Sequence, residues 1–132
     1  IIFALHHING SKYSSAISSL EKVIEESNKK LTVNGEIIIV ECTLRGFIFF
    51  LQKLLYKLTY NILKIFKTDM VFFYNDKIII NNLSKISKNK KIEIHKIKMK
   101  GWLDPLLGTF PGIIKIPAFL MPTSMKIFRI RK

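Results

Sequence analysis

The chain has 132 residues, of which 48% are hydrophobic, so it can form one domain with a single core, and its composition excludes wholesale disorder. Its single cysteine excludes an internal disulfide framework and fits a reducing compartment, which predicts a cytoplasmic protein. The net charge of +13 lies mainly in the second half: residues 67–132 hold fourteen Lys and Arg against four Asp and Glu, whereas residues 1–66 hold eight against five.

This basic charge has two interpretations. A surface that attracts nucleic acid or anionic lipid would be basic. A composition rich in lysine and isoleucine, with lysines on solvated faces, would be basic as well. Aromatic residues are not interleaved with the basic run as base-stacking platforms would be, so the pattern disfavours nucleic acid. A non-enzymatic basic α/β module that binds nucleic acid or anionic membrane stays open as an alternative function.

The first 41 residues predict a strand, a helix and a second strand. Residues 1–8 form a short apolar run that breaks at a His pair and an Asn-Gly turn, as a buried parallel strand would. Apolar residues at helical spacing predict an amphipathic helix over residues 14–30, and residues 36–41 form a second β-branched run. This pattern indicates a βαβ unit with a right-handed crossover. Because a parallel strand needs neighbours, we expect upstream residues to complete the sheet and the chain to be a fragment.

Residues 45–66 are the most hydrophobic stretch and predict one long helix. Lys53, Lys57 and Lys64 exclude a membrane span, since each costs ~3 kcal/mol near a bilayer centre. An apolar stripe with i, i+3, i+4, i+7 spacing favours packing on the sheet, with an interfacial membrane helix as the alternative. The stripe consists of Phe47, Phe50, Leu51, Leu54, Leu55, Leu58, Ile62, Ile65 and Phe66. Three further apolar residues widen it beyond what one face needs: Ile48, Phe49 and Leu63.

The remaining residues predict a helix and two strands, separated by an apolar connection. Residues 67–80 favour a loop and residues 81–87 a short helix, with a hairpin as the alternative. Residues 91–100 predict a strand whose alternation shifts by one after His95-Lys96, as at a β-bulge. All four prolines fall in the apolar segment 101–123, which predicts a lid-like connection rather than a long helix or a central strand. Residues 124–131 predict the last strand.

Motifs of common catalytic and metal sites are absent. Cys42 has no C-x-x-C partner, and neither a Gly-rich phosphate loop nor a Ser nucleophile elbow is present. Adjacent histidines in a strand point to opposite faces and cannot chelate one metal, which predicts no metal site. Polar residues follow both predicted strands: His6, His7 and Asn9, then Glu41, Cys42 and Thr43. Ligands bind beyond the carboxyl ends of parallel strands, so we expect these residues to face one crevice. The plain alternative is a solvated carboxylate at Glu41 and a His pair split between core and loop.

These motifs together carry a family resemblance. The runs FALHHI at residues 3–8 and LTVNGEIIIVE at residues 31–41, with an amphipathic helix between them, resemble the second half of class I S-adenosylmethionine-dependent methyltransferases. In that family an LHH-type turn follows the fourth strand, and the fifth strand closes in an acidic residue. The resemblance implies an α/β fold: a partial Rossmann-like sheet with strand order 4-5-7-6, an antiparallel last strand and flanking helices. Residues 1–132 would form the carboxy-terminal part of a single domain.

The resemblance also implies a cofactor and site residues. S-adenosylmethionine would be bound in part by Ala4, Leu5 and His6, chiefly through the backbone. His7 and Glu41 would face the methyl-accepting pocket, where either could orient or deprotonate the acceptor. The family's Gly-rich loop after strand one and acidic residue after strand two are not in this chain. We therefore expect this fragment to be inactive alone.

The apolar segment 101–123 would lie over the mouth of such an active site, because strand six ends and strand seven begins at the cofactor edge. Trp102 and Phe110 of this lid, together with Thr43, would then contact the acceptor. A hydrophobic lid on a basic domain predicts a small or lipid-like apolar acceptor, reached through a peripheral contact with a membrane surface.

Overall fold

A computed structural model of the chain describes residues 5–87, 91–98, 100, 102–103, 116–117 and 123–131. The elements in chain order are a 3-10 turn at Leu5–His7, helix α1 at Tyr13–Lys29, strand β1 at Glu36–Leu44, helices α2 at Gly46–Leu54, α3 at Tyr56–Ile65 and α4 at Asp76–Ser87, and strands β2 at Glu93–Lys96, β3 at Trp102–Leu103, β4 at Ile116–Pro117 and β5 at Thr123–Arg131. The fold class is therefore α/β, with four helices and a small open sheet in the described part of the chain.

The main sheet has three strands in the order β1-β5-β2. Strand β5 pairs antiparallel with both neighbours, so β1 and β2 run parallel to each other on either side of it. This sheet differs from the predicted four-stranded order 4-5-7-6. Where a strand was predicted at residues 1–8, Leu5–His7 forms a 3-10 turn, and residues 1–4 lie outside the described residues. A two-residue ladder between β3 and β4 lies within the predicted lid.

Two local predictions are wrong. No β-bulge interrupts β2, because His95 and Lys96 pair in continuous register with β5 and the N–H of Ile97 donates to the carbonyl of Met125 at 2.9 Å. Helix α4 begins at Asp76 rather than at residue 81. The Asn75 side-chain oxygen accepts the N–H of Ile78 at 3.0 Å, which caps the helix, and Asp76 adds a favourable charge in its first turn.

The core lies on one face of the sheet, under α1 and α4. Alternate residues of β1 and β5 face it, as expected for a half-buried sheet. Helices α1 and α4 contact each other over this face. The buried cluster includes Ile37, Ile39, Phe128 and Ile130 from the strands, and Ala16, Leu20, Ile24, Ile79 and Leu83 from the helices. The predicted amphipathic helix and the strand after it are thus confirmed as α1 and β1.

Helices α2 and α3 contact the core through the face opposite to the predicted one. Leu55 separates the two helices, so the predicted single helix is broken after α2. Phe49 and Tyr56 are buried, and Tyr60 and Leu63 pack against the core. All nine residues of the predicted stripe are exposed instead. The prediction that this stripe packs on the sheet is therefore wrong. No helix in the described ranges has both the length and the apolar content needed to cross a membrane.

Candidate functional site

The most distinctive polar contact joins Glu41 of β1 to His6 of the 3-10 turn. Glu41 lies on the core-facing side of β1 beyond Ile37 and Ile39, and its side chain is fully buried. An unpaired buried carboxylate costs several kcal/mol, so a group in this position needs hydrogen-bond donors. His6 and the backbone N–H of Cys42 supply them.

Three hydrogen bonds satisfy this carboxylate. The backbone N–H of His6 donates to Oε2 at 3.1 Å, and the His6 ring nitrogen Nδ1 lies 2.6 Å from Oε1. The backbone N–H of Cys42 also donates to Oε1, at 2.9 Å. Both carboxylate oxygens therefore have partners: the ring and the backbone N–H of His6, and the backbone N–H of Cys42.

This contact fixes how the imidazole of His6 can act. An ionised Glu41 favours a ring that carries a proton on Nδ1, and in the neutral form of that tautomer Nε2 is the acceptor. Nε2 makes no hydrogen bond among the described residues. The His6 side chain is 27% exposed, so this free nitrogen is on a side chain that solvent reaches. A carboxylate that orients an imidazole in this way is the arrangement found in general bases.

Neighbouring elements hold the His6 segment in place. The Tyr56 hydroxyl of α3 donates to the carbonyl of Gly10 at 2.8 Å and accepts the Gly10 N–H at 3.1 Å. The Tyr74 hydroxyl donates to the carbonyl of Ile8 at 2.5 Å. The N–H of Phe72 donates to the carbonyl of His6 at 2.9 Å. The segment is therefore fixed on both sides of the His pair.

Two aromatic rings lie against the His6 imidazole. The Phe73 ring stacks on it with centroids 5.6 Å apart, and the His7 ring lies 4.3 Å away at a tilt. Phe73 is itself held by Gln52 of α2, whose amide accepts the Phe73 N–H and donates to its carbonyl. Helix α2 thus takes part in positioning the ring that covers His6.

The predicted site residues lie in different environments. Glu41 and His6 contact each other through side chains, whereas His7 is exposed and meets only the His6 ring. Leu5 is fully buried in the core. Thr43 is buried on β1, and its hydroxyl meets Ser124 of β5 at 3.3 Å. Ala4 and Phe110 lie outside the described residues, and Trp102 is described only by its backbone in β3.

The predicted backbone contact of His6 with a cofactor meets an obstacle. Its N–H is bonded to Glu41 and its carbonyl to Phe72, so both backbone groups already have partners. Sequence reasoning also missed that the His6 ring, rather than His7, is the imidazole that pairs with Glu41. A run of two histidines does not reveal which ring faces the next strand.

A separate cleft of about 320 Å³ lies beside the end of α3. Its lining includes Asn9, Met70 and the basic residues Lys64 and Lys67. Of the polar residues predicted at the two strand ends, only Asn9 lines it. Asn9 also donates from its side-chain amide to the carbonyl of Met70, which joins the two sides of the cleft.

Metal and thiol chemistry find no support at this site. The described residues contain no group of three or more His, Cys, Asp or Glu side chains that could hold a metal ion. Burial, and then the negative charge of Glu41, raise the pKa of the Cys42 thiol, which keeps it protonated and poorly nucleophilic.

Three comparisons with known proteins bear on identity. A scan against protein-family models, a search of curated proteins and a search of solved structures each found no match to this chain.

Proposed function

We propose that this chain is the carboxy-terminal part of an S-adenosylmethionine-dependent methyltransferase domain that acts on a small or lipid-like apolar acceptor. The observation that carries this proposal is the position of β5. It lies between β1 and β2 and antiparallel to both, although β1 and β2 run parallel. That arrangement agrees with strand order 5-7-6 in the family that the sequence resembles.

The helices support the same assignment. Strand β1 and strand β2 are joined by a connection that contains α4, and α1 and α4 contact each other over the core. A connection between parallel strands normally crosses over one face of the sheet with a helix. Helices α2 and α3 would then be an addition between the fifth strand and its following helix.

Within this proposal His6 is the residue that accepts a proton from the methyl acceptor. Glu41 would favour the tautomer with the proton on Nδ1, which would leave Nε2 to take the proton that the acceptor loses on methylation. His7, with no carboxylate partner among the described contacts, lacks this orientation. The Phe73 ring, which stacks on the His6 imidazole, favours an apolar acceptor beside it.

The described residues of this chain do not form a complete cofactor site. The family's Gly-rich loop is absent from the sequence, and the His6 backbone is already bonded within the chain. S-adenosylmethionine would supply the electrophilic methyl group, and the proposal places most of its binding residues outside residues 1–132.

Calorimetric titration with S-adenosylmethionine tests this proposal. The natural protein that contains these residues should bind one equivalent, and residues 1–132 alone should give no binding heat. Glu41→Gln in the natural protein should leave cofactor binding within about twofold, because Glu41 is buried against His6. A natural protein that binds no S-adenosylmethionine contradicts the proposal.

The second candidate is a non-enzymatic basic module that binds anionic membrane. The exposed apolar faces of α2 and α3 favour it. The two candidates are separable, since a non-enzymatic module needs neither cofactor binding nor the His6 base.

A further inference from the structure

We infer that the outward face of α2 and α3 is a docking surface for an anionic lipid bilayer. This face, here called the outer stripe, consists of Phe47, Phe50, Leu51, Leu54, Leu55, Leu58, Ile62, Ile65 and Phe66, all of them exposed. The inference does not depend on the proposed methyltransferase function, because it rests on these two helices alone.

The outer stripe is large and continuous. Its residues recur at intervals of three and four along α2 and α3, which keeps them on one side of the helices. Phe47 at one end is 73% exposed, and Ile65 and Phe66 at the other end are 77% and 72% exposed. Nine such side chains expose roughly 800 Å², more than the largest apolar patch on a typical soluble monomer.

The helices cannot turn this face inward without losing contacts, because their opposite side already packs on and bonds to the rest of the chain. Phe49 and Tyr56 are buried, and the Tyr56 hydroxyl makes two hydrogen bonds to Gly10. Gln52 makes two hydrogen bonds to the backbone of Phe73. Rotation of the helices would break these four bonds and unpack both aromatic rings, so the outer stripe stays outward in the folded chain.

The charges beside the outer stripe identify its partner. Residues 42–69 contain five basic residues, all exposed, and one acidic residue, Asp69, which lies beside Lys64 and Lys67 at the end of α3. Helical spacing at i, i+4 and i+11 is expected to put Lys53, Lys57 and Lys64 on one flank of the helices, and the Lys53 Nζ lies 4.8 Å from the centroid of the Tyr13 ring. A helix with a broad apolar face and flanking lysines is the type that lies in the plane of an anionic bilayer surface.

A second copy of the chain fits the outer stripe less well. The chain carries +13 charges, and two outer stripes in contact would bring like-charged lysine flanks together, with five basic residues against one acidic residue, Asp69, in residues 42–69 of each copy. Anionic lipid headgroups, in contrast, complement the lysines while the acyl region accepts the apolar side chains. Docking would leave the His6 segment on the side of α3 away from the bilayer, because Tyr56 bonds to Gly10 from the buried face of the helix.

Flotation with lipid vesicles tests the inference. The full chain should bind vesicles that mix phosphatidylserine with phosphatidylcholine, and should bind phosphatidylcholine vesicles far more weakly. Raising the salt from about 0.1 M to about 1 M should release much of the protein, since screening shortens the range of the lysine contribution. Lys57→Gln with Lys64→Gln should weaken binding by about 25-fold, or about fivefold for each charge.

Variants of the apolar residues complete the experiment. Phe47→Ser with Leu58→Gln should reduce partitioning by at least roughly tenfold, because these side chains would enter the acyl region. The matched control is Val33→Ser: Val33 is 81% exposed but lies between α1 and β1, so its binding should not change. Circular dichroism should show every variant folded, since the substituted side chains are exposed.

Three results would overturn the inference. The first is no binding to either kind of vesicle, and the second is equal binding by the wild type and the Phe47/Leu58 variant. The third is a wild-type dimer that does not bind vesicles and that the Phe47/Leu58 substitutions dissociate. Failure of the methyltransferase proposal is a separate result. Vesicle binding without S-adenosylmethionine binding would reject that proposal and leave the docking surface in place.

Discussion

Glu41→Gln should destabilise the fold by about 3 kcal/mol. Glutamine keeps the volume of the side chain but brings an NH₂ group to a place where both Glu41 oxygens accept hydrogen bonds. At least one donor from His6 or Cys42 then loses its partner, at a cost of about 1–3 kcal/mol, and the remaining bonds lose a charge-assisted contribution of similar size. For a chain of this length, about 3 kcal/mol corresponds to a fall of about 10 °C in Tm.

Urea unfolding of a double-mutant cycle measures the ring contact itself. Combining Glu41→Gln with His6→Ala should give a coupling energy of about 1–2 kcal/mol, because the two side chains touch. Glu93→Gln is the matched control: its carboxylate lies 3.9 Å from His95 on an exposed strand, and its removal should cost less than about 0.5 kcal/mol. If Glu41→Gln costs no more than this control, the buried hydrogen-bond arrangement described above is incorrect.

Three further predictions concern the core and the sheet. Burial raises the pKa of Tyr74 well above its usual value of 10, so the folded state keeps this proton to higher pH than the unfolded state. The contribution of Tyr74 to stability should therefore be flat below pH 10 and fall above it by up to about 1.4 kcal/mol per pH unit. Tyr74→Phe should reduce that slope in urea unfolding, and an unchanged slope would rule out this cause. Phe72→Ala should cost about 3–5 kcal/mol, since its fully buried ring contacts several aromatic neighbours, whereas a loss below about 1 kcal/mol would contradict this packing. The two hydrogen bonds from Arg129 lower the pKa of Glu36, so this pair stabilises the fold above the ordinary pKa of the carboxyl group, and the contribution is lost as the pH falls through the lowered pKa. Arg129→Met should remove that part of the acid dependence of stability. Identical acid titrations of the wild type and this variant would refute the prediction.

The elements that depend on local pattern could be predicted from the sequence. Helix α1 has one apolar face and a polar opposite face, so its periodicity has a single interpretation. Strand β5 lies within one residue of the predicted boundary. The start of α4 was missed although a signal was present. Asn75-Asp76 is a typical N-cap with an acidic first turn, and it stands immediately before the apolar residues of the helix.

The inverted face of α2 and α3 shows what periodicity cannot decide. These helices are apolar on both sides, and the side with the more regular aliphatic spacing is the exposed one. The buried side uses Gln52 and Tyr56, whose polar ends bond to backbone groups of other segments. Such long-range hydrogen bonds leave no periodic trace in the sequence, although an amphipathic aromatic residue and a lone glutamine in an apolar run are consistent with them.

The site was predictable by position but not by contact. The rule for strand ends predicted that His6, His7 and Glu41 lie near each other. The structure brings His6 and Glu41 into contact, but from a 3-10 turn at Leu5–His7 rather than from the end of a strand. Which histidine pairs with Glu41 depends on the 3-10 turn at Leu5–His7, whose formation depends on bonds from Phe72 and Tyr74 more than 60 residues away.

Transfer of a labelled methyl group from S-adenosylmethionine to a lipid extract, catalysed by the natural protein, tests the central claim most directly. The account predicts transfer that His6→Ala lowers by about 10²–10⁴-fold with cofactor binding retained, the contribution typical of a general base, and that His7→Ala lowers far less. The loss in His6→Ala should shrink at high pH, where the acceptor ionises without a base. Absence of transfer in the wild-type protein, or equal losses in the two histidine variants at every pH, would contradict it.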